Sequence, residues 1–302
     1  MIAEIDYFAI SEVSADPAYI DNYMQLYYLN TGVVKIRHKQ GATETEIVLG
    51  SGGAGGVGDG WTAGTGTWSY TSADAPTFIS SVPDADAALM NVGDRWKITQ
   101  TTVKYFIVVA KGSPSGGFTP VTIYGGTDYT LANAAITSPY WSHVKSPLGF
   151  PTSPAKWTVT VSDNNDKKKA SPTANTWYGG ASAYTTGANI SLSIPIGSWR
   201  VEYTGALWAD SNASQTSVGV YIALSKSNNS EDDRDFRAFS LAQGASGTLG
   251  TGTSFQVSKL IELATKTTYY VLLSTPYSNV ANLWLYGSTV KPTIIRLVCA
   301  YL

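Results

Sequence analysis

An all-β chain is predicted, ending in a β-sandwich of jelly-roll type, and three observations predict it. Apolar residues alternate with polar ones along Trp199–Leu207, with Trp199, Val201, Tyr203 and Leu207 on one side and Arg200, Glu202 and Thr204 on the other. The same period of two puts Val218, Val220, Ile222 and Leu224 on one face, and Leu283 with Leu285 on one face of a later run. Composition agrees: aromatic residues reach 12%, with nine Trp and 19 Tyr, and Gly, Ser and Thr abound. Turn-forming residues break residues 177–302 into about eight short strands, which must stack in two sheets to hide their apolar sides.

The remaining elements follow in order. Residues 1–23 carry weak helix and turn signals. Met24–Leu29, Val33–Arg37 and Thr45–Leu49, separated by Asn30–Gly32 and Lys39–Gly41, read as a three-stranded meander too thin to enclose a core. Gly50–Gly60 is a flexible joint by composition. It lacks the following helix or Gly-Lys-Ser/Thr ending of a phosphate loop. A middle β-unit then runs through Gly66–Tyr70, Asp94–Gln100, Lys104–Ala110 and Thr119–Tyr124, with a hairpin loop at Gly112–Gly117 and a short helix expected over Tyr129–Ile136. Val103–Val109 is apolar on both faces and is expected to be a central strand; a compact barrel suits the unit. Pro147–Pro154 marks a boundary, Thr158–Val161 a strand open to either neighbour, and Asp163–Lys169 a solvated charged loop. The organisation expected is thus 1–50 for attachment and trimerisation, 51–60 a linker, 61–152 a middle β-domain and 153–302 a jelly-roll head.

Charged residues make up only 14%, against an average of about 25%. So few charges and so many rings favour burial of surface against further copies of the chain. A formal net charge of −2 offers no basic field for nucleic acid. No apolar run approaches the length of a spanning helix, and the opening residues lack the basic and apolar regions of a secretion signal, so a soluble product made in a cytoplasm is expected. Cys299, the single cysteine, reads as a buried apolar side chain.

Several stretches resemble the tail-fibre proteins of tailed bacteriophages. Met24–Leu49, with Leu-Tyr-Tyr, Thr-Gly-Val-Val-Lys-Ile and Gln-Gly-Ala-Thr-Glu-Thr-Glu, resembles their amino-terminal strand motif. Asp94–Val108, Tyr124–Asn133 and Pro139–Lys145 resemble a β-domain of such structural proteins, and Trp199–Tyr203 with Ser225–Phe236 is similar to their terminal jelly-roll heads. The resemblance implies a homotrimeric virion component, assembled in the host cytoplasm. It would attach to other virion proteins through its amino-terminal segment and bind a bacterial surface polysaccharide or protein. It implies no catalytic residue, and the missing helical shaft implies a short fibre. A head fibre or decoration protein is the purely structural alternative.

Chemistry has little to work with. His38 and His143 lie in different expected domains, so neither a zinc site nor an imidazole-based triad assembles. Asp163–Asp166 lacks the Gly and Glu that an EF-hand loop needs at its sixth and twelfth positions. Glu231–Asp235, with Glu202 and Glu262, could supply the paired acids of a glycan depolymerase, but consecutive acids in a polar loop read as solvated ion pairs. No enzyme activity, cofactor or metal is therefore expected. The stronger signal is aromatic: Trp208, Tyr221, Trp284 and Tyr286 fall out of phase with the core, and Trp177, Tyr178 and Tyr277 sit in loops. Such rings can stack on a sugar face or fill an interface between copies.

Overall fold

The computed structural model describes Glu12–Val13, Met24–Leu29, Val34–Gln40 and Thr43–Gly50, and then residues 59–211, 215–288 and 291–302. The first four segments, β1 to β4, form one sheet in the order β1-β2-β3-β4. The expected meander is its antiparallel part, with Leu26 opposite Ile36 and Ile36 opposite Ile47, and β1 adds a parallel edge. Strand β3 runs on to Gln40, through the expected turn at Lys39. The expected joint lies outside the described residues over positions 51–58.

The middle unit is one seven-stranded sheet. Its strands are β5 (Thr62–Ala63), β6 (Ser69–Asp74), β7 (Thr77–Pro83), β8 (Arg95–Gln100), β9 (Thr102–Lys111), β10 (Phe118–Tyr124) and β11 (Thr137–Ser142), in the order β5-β11-β8-β9-β10-β7-β6. Laid flat, its outermost strands would stand roughly 29 Å apart, yet the chain joining β5 to β6 can span only about 20 Å. The sheet must therefore curl into a roll, barrel-like in shape, whose described ladder stays open between β5 and β6. The joining segment carries Trp68 across the opening onto Trp96, their ring centres 4.3 Å apart. Strand β9 is central, as its two apolar faces predict: Phe106 and Val108 enter the roll's own core, while Ile107 and Val109 face the head.

Two expectations fail in this unit for physical reasons. Tyr129–Ile136 is not helical, because the Gln100 side chain holds it open: Nε2 donates to the carbonyls of Ala132 (3.0 Å) and Ala134 (2.9 Å), and Oε1 accepts from the Ala132 amide (3.0 Å). The one α-helix among the described residues is α1, Asp84–Leu89, where Pro83 precedes two acids in the first turn that complement the helix dipole. The strand expected at Gly66–Tyr70 begins only at Ser69, and β7 and β11 were not anticipated.

The carboxy-terminal unit is a β-sandwich. Its strands are β12 (Thr158–Asp163), β13 (Lys167–Ala170), β14 (Ser191–Ile194), β15 (Gly197–Ser211), β16 (Gln215–Ser225), β17 (Arg237–Gly247), β18 (Gly250–Leu263), β19 (Thr267–Ser274), β20 (Val280–Tyr286) and β21 (Thr293–Cys299). From β13 to β20 the first strand pairs with the last, the second with the seventh, the third with the sixth and the fourth with the fifth. These nested antiparallel pairs alternate between two sheets, β13-β20-β15-β18 and β14-β19-β16-β17, which is jelly-roll topology. Strands β21 and β12 extend the larger sheet beside the first half of β15. The predicted faces hold: Trp199, Val201, Tyr203, Val218, Val220, Ile222, Leu224, Leu283 and Leu285 are all fully buried.

The charged loop expected at Asp163–Lys169 is largely strand, and Lys167 is only 1% exposed. Opposite Leu285 in the ladder, Lys167 points inward and its Nζ donates to Asp163 Oδ1 (2.8 Å) and the Asn165 carbonyl (3.0 Å). Roll and head share a core in which Tyr124 meets Trp199 edge-on (4.9 Å) and Phe150 stacks on the buried Trp157 (5.2 Å). The buried Arg95 guanidinium ties them further, donating to the carbonyls of Gly93 (2.6 Å), Lys145 (3.0 Å) and Tyr301 (2.8 Å).

Candidate functional site

Strand alternation puts Trp208 of β15 and Trp284 and Tyr286 of β20, which flank the buried Leu207, Ala209, Leu283 and Leu285, on the outside of the larger sheet. Trp208 lies directly opposite Trp284 in the ladder and also opposite Gly252 on β18. Trp208 and Tyr286 are each 37% exposed. The Trp208 indole lies across Gly250 and Gly252; a Cβ on Gly250 would stand 2.6 Å from Cζ2, and one on Gly252 would collide with Cε3. Two glycines thus let the ring lie down on the sheet. Trp284 and Tyr286 are nearly parallel, at 11° with ring centres 5.8 Å apart, and Lys168 Nζ sits 4.7 Å over Trp284.

The smaller sheet carries the second aromatic group. Tyr221 stacks on the cross-strand Phe239 (4.3 Å), Trp177 leans on Tyr221 (6.2 Å), and Arg237 lies 4.7 Å over the Tyr221 ring. Gly219 makes room there for Phe239 and Tyr277. Phe239 and Leu241 remain 39% and 41% exposed, a patch the sequence reading did not single out although both sit at the outward parity of β17. Tyr178 plays a structural part: its hydroxyl accepts the Thr173 amide (2.7 Å) and its backbone bridges to Leu273. The seven expected aromatics therefore divide: Trp208, Trp284 and Tyr286 gather on one face, Trp177, Tyr221 and Tyr277 on the other, and Tyr178 is tied into the fold.

Acids of the expected Glu231–Asp235 cluster are drawn into ion pairs. Lys259 donates to Asp233 (2.6 Å) and Asp235 (2.8 Å), and Arg237 faces Glu231 at 3.4 Å. Burial pushes the Asp233 carboxyl up, but the Lys259 ammonium and the Asp235 amide outweigh it and hold it below the ordinary range. That is opposite to the raised pKa a general acid needs. His143 Nδ1 lies 2.9 Å from Asp94 Oδ1, and its ring meets Trp141 edge-on. Cys299 is buried, which pushes its thiol up to about 11. Among the described residues, no three His, Cys, Asp or Glu side chains converge as metal ligands, and no helix is long and apolar enough to cross a membrane.

No protein-family model matches the chain, and no curated protein matches it significantly. Among solved structures it is similar to dimeric latent PorU from Porphyromonas gingivalis, at 9% identity over 78% of this chain and 24% of that one, with a TM-score of 0.24. It is also similar to infectious bursal disease virus, Gx strain (9% identity, 92% and 70% covered, TM-score 0.23). T=1 particles derived from infectious bursal virus give 11% identity, 91% and 71% coverage and a TM-score of 0.21. This chain spans about a quarter of the PorU chain, and similarities this low carry no inference about what it does.

Proposed function

We propose that the chain is a non-catalytic adhesion protein of a phage virion, a short homotrimeric tail fibre or receptor-binding protein whose jelly-roll head adsorbs to the bacterial surface. The observation that carries this reading is the outward aromatic platform of Trp208, Trp284 and Tyr286, set on a rigid sheet away from the ion-paired acids. Aromatic faces outside a jelly roll suit recognition by stacking, which requires no bond to be broken. In this reading the amino-terminal sheet docks on other virion proteins, and the Phe239–Leu241 patch is covered by neighbouring copies. Three heads per fibre multiply a weak contact through effective concentration.

The test is saturable binding of the fluorescently labelled full chain to a panel of bacterial strains. Binding to some strains without release of reducing ends is the expected result. Binding to none would favour a purely structural head fibre or decoration protein, a reading to which the exposed Phe239 and Leu241 also lend themselves. Reducing ends released on contact, and lost when Glu231–Asp235 are replaced by amides or alanine, would instead indicate a depolymerase.

A further inference from the structure

Strand β15 divides one of its edges between two partners. Strand β21 pairs with Trp199–Thr204 and β20 with Ala206–Ser211, leaving Gly205 at a fork. A cavity of about 400 Å³ opens there, lined on its rim and floor by Thr204, Ala206, Ser254, Gln256 and Lys291. Ala206 pairs across the ladder with Tyr286 on one side and Ser254 on the other, so the fork adjoins the aromatic platform. Gly205 is needed beneath it, because a Cβ there would stand 2.9 Å from the Phe255 ring.

The groups around this opening have a consistent chemistry. The Trp208 indole N–H, the Tyr286 hydroxyl, the Gln256 amide and the Lys291 ammonium make no hydrogen bond to another described residue. Donors and acceptors are mixed, as a ligand rich in hydroxyls requires and a purely apolar peptide does not. Charges of both signs surround the platform: Lys168 lies over Trp284, Asp166 and Asp210 lie close to Tyr286, and Lys291 lines the adjoining cavity. Balanced charge favours an uncharged ligand over an acidic one. The flat indole over two glycines supplies a stacking surface for the apolar face of a sugar ring.

We infer that the outward face at the fork of β15, with Trp208 and Tyr286 as a stacking platform beside the cavity and Ser254, Gln256 and Lys291 as the cavity's polar lining, is a subsite for a neutral pyranose. The inference rests on the adhesion reading for its biological setting but makes a separate claim about ligand and location. The opposite face, with Phe239 and Leu241, is assigned no sugar.

The test applies the full chain, and full-chain Trp208→Ala and Gln256→Ala variants, to an array of immobilised neutral and acidic oligosaccharides. Circular dichroism melting confirms that each variant is folded. Binding of wild-type chain to a neutral hexose oligosaccharide is expected, weakened at least about tenfold by Trp208→Ala and by Gln256→Ala. Neutral-glycan binding that survives both site substitutions overturns the subsite, as does a preference for acidic glycans or no glycan binding at all. Binding to bacteria that resists periodate treatment of the cells would also sink the subsite while leaving adhesion standing. Trp208-dependent glycan binding without attachment to any bacterium would support the subsite and sink the adhesion reading.

Discussion

Asp86 shows how single residues hold the roll closed. Only 2% exposed, its carboxylate accepts the Thr65 amide (3.0 Å to each oxygen), the Thr65 hydroxyl (2.6 Å) and the Trp68 indole N–H (2.8 Å), fixing the segment that crosses the opening. Burial alone pushes this carboxyl up, but the donors outweigh it and leave it below the ordinary carboxylate range. A depressed folded pKa means stability that is present above about pH 4 and lost as pH falls through the folded value. Asp86→Asn, which turns an N–H₂ toward donors, should cost about 1–3 kcal/mol at pH 7. It should also flatten the acid limb below pH 4, both read by urea unfolding at pH 7 and pH 3. Lys167 is a second case: Lys167→Met should destabilise by about 3 kcal/mol because it strands Asp163, whereas Lys167→Met combined with Asp163→Ala should cost much less. Urea midpoints of the two variants separate these outcomes. At this scale the outward aromatics were legible, because parity along a strand is a local property. Lys167 was not, because only the register against Leu285 turns it inward.

Among the elements, β15 does most to organise the head: it pairs with β18 from Gly197 to Asp210 and with both β21 and β20 on its other edge. Its alternation was readable, as were those of β16 and β20, since a period of two survives without knowledge of partners. Strand β7 was not, because Ser80 occupies an inward position between Phe78 and Val82 and donates to the Ser69 carbonyl (2.9 Å). The Ala-rich segment 129–136 reads as helix locally and is overruled by Gln100 from a distant strand. The 3₁₀ turn Pro154–Trp157 couples roll to head, with the Trp157 indole N–H donating to the Pro151 carbonyl (2.7 Å) under the Phe150 ring. Trp157→Ala should cost about 3–5 kcal/mol and separate the unfolding of the two units. Calorimetry should then resolve two transitions, against a single coupled transition expected for the wild type.

For the whole molecule, the sandwich was foreseeable from strand number and spacing, but the nesting of its strand pairs and the roll's open ladder were not. Both depend on contacts between residues far apart in sequence. The low charge and the exposed Phe239–Leu241 patch together support assembly, and Phe239→Ser should weaken association between copies without altering the aromatic platform on the other sheet. Threefold association is the claim on which the account of a fibre head turns, because it decides which faces stay free for the cell surface. Light scattering of the purified full chain tests it most directly. A particle mass three times the 32.1 kDa of one chain, maintained at micromolar concentration, is the predicted result; a stable 32.1 kDa monomer would contradict it.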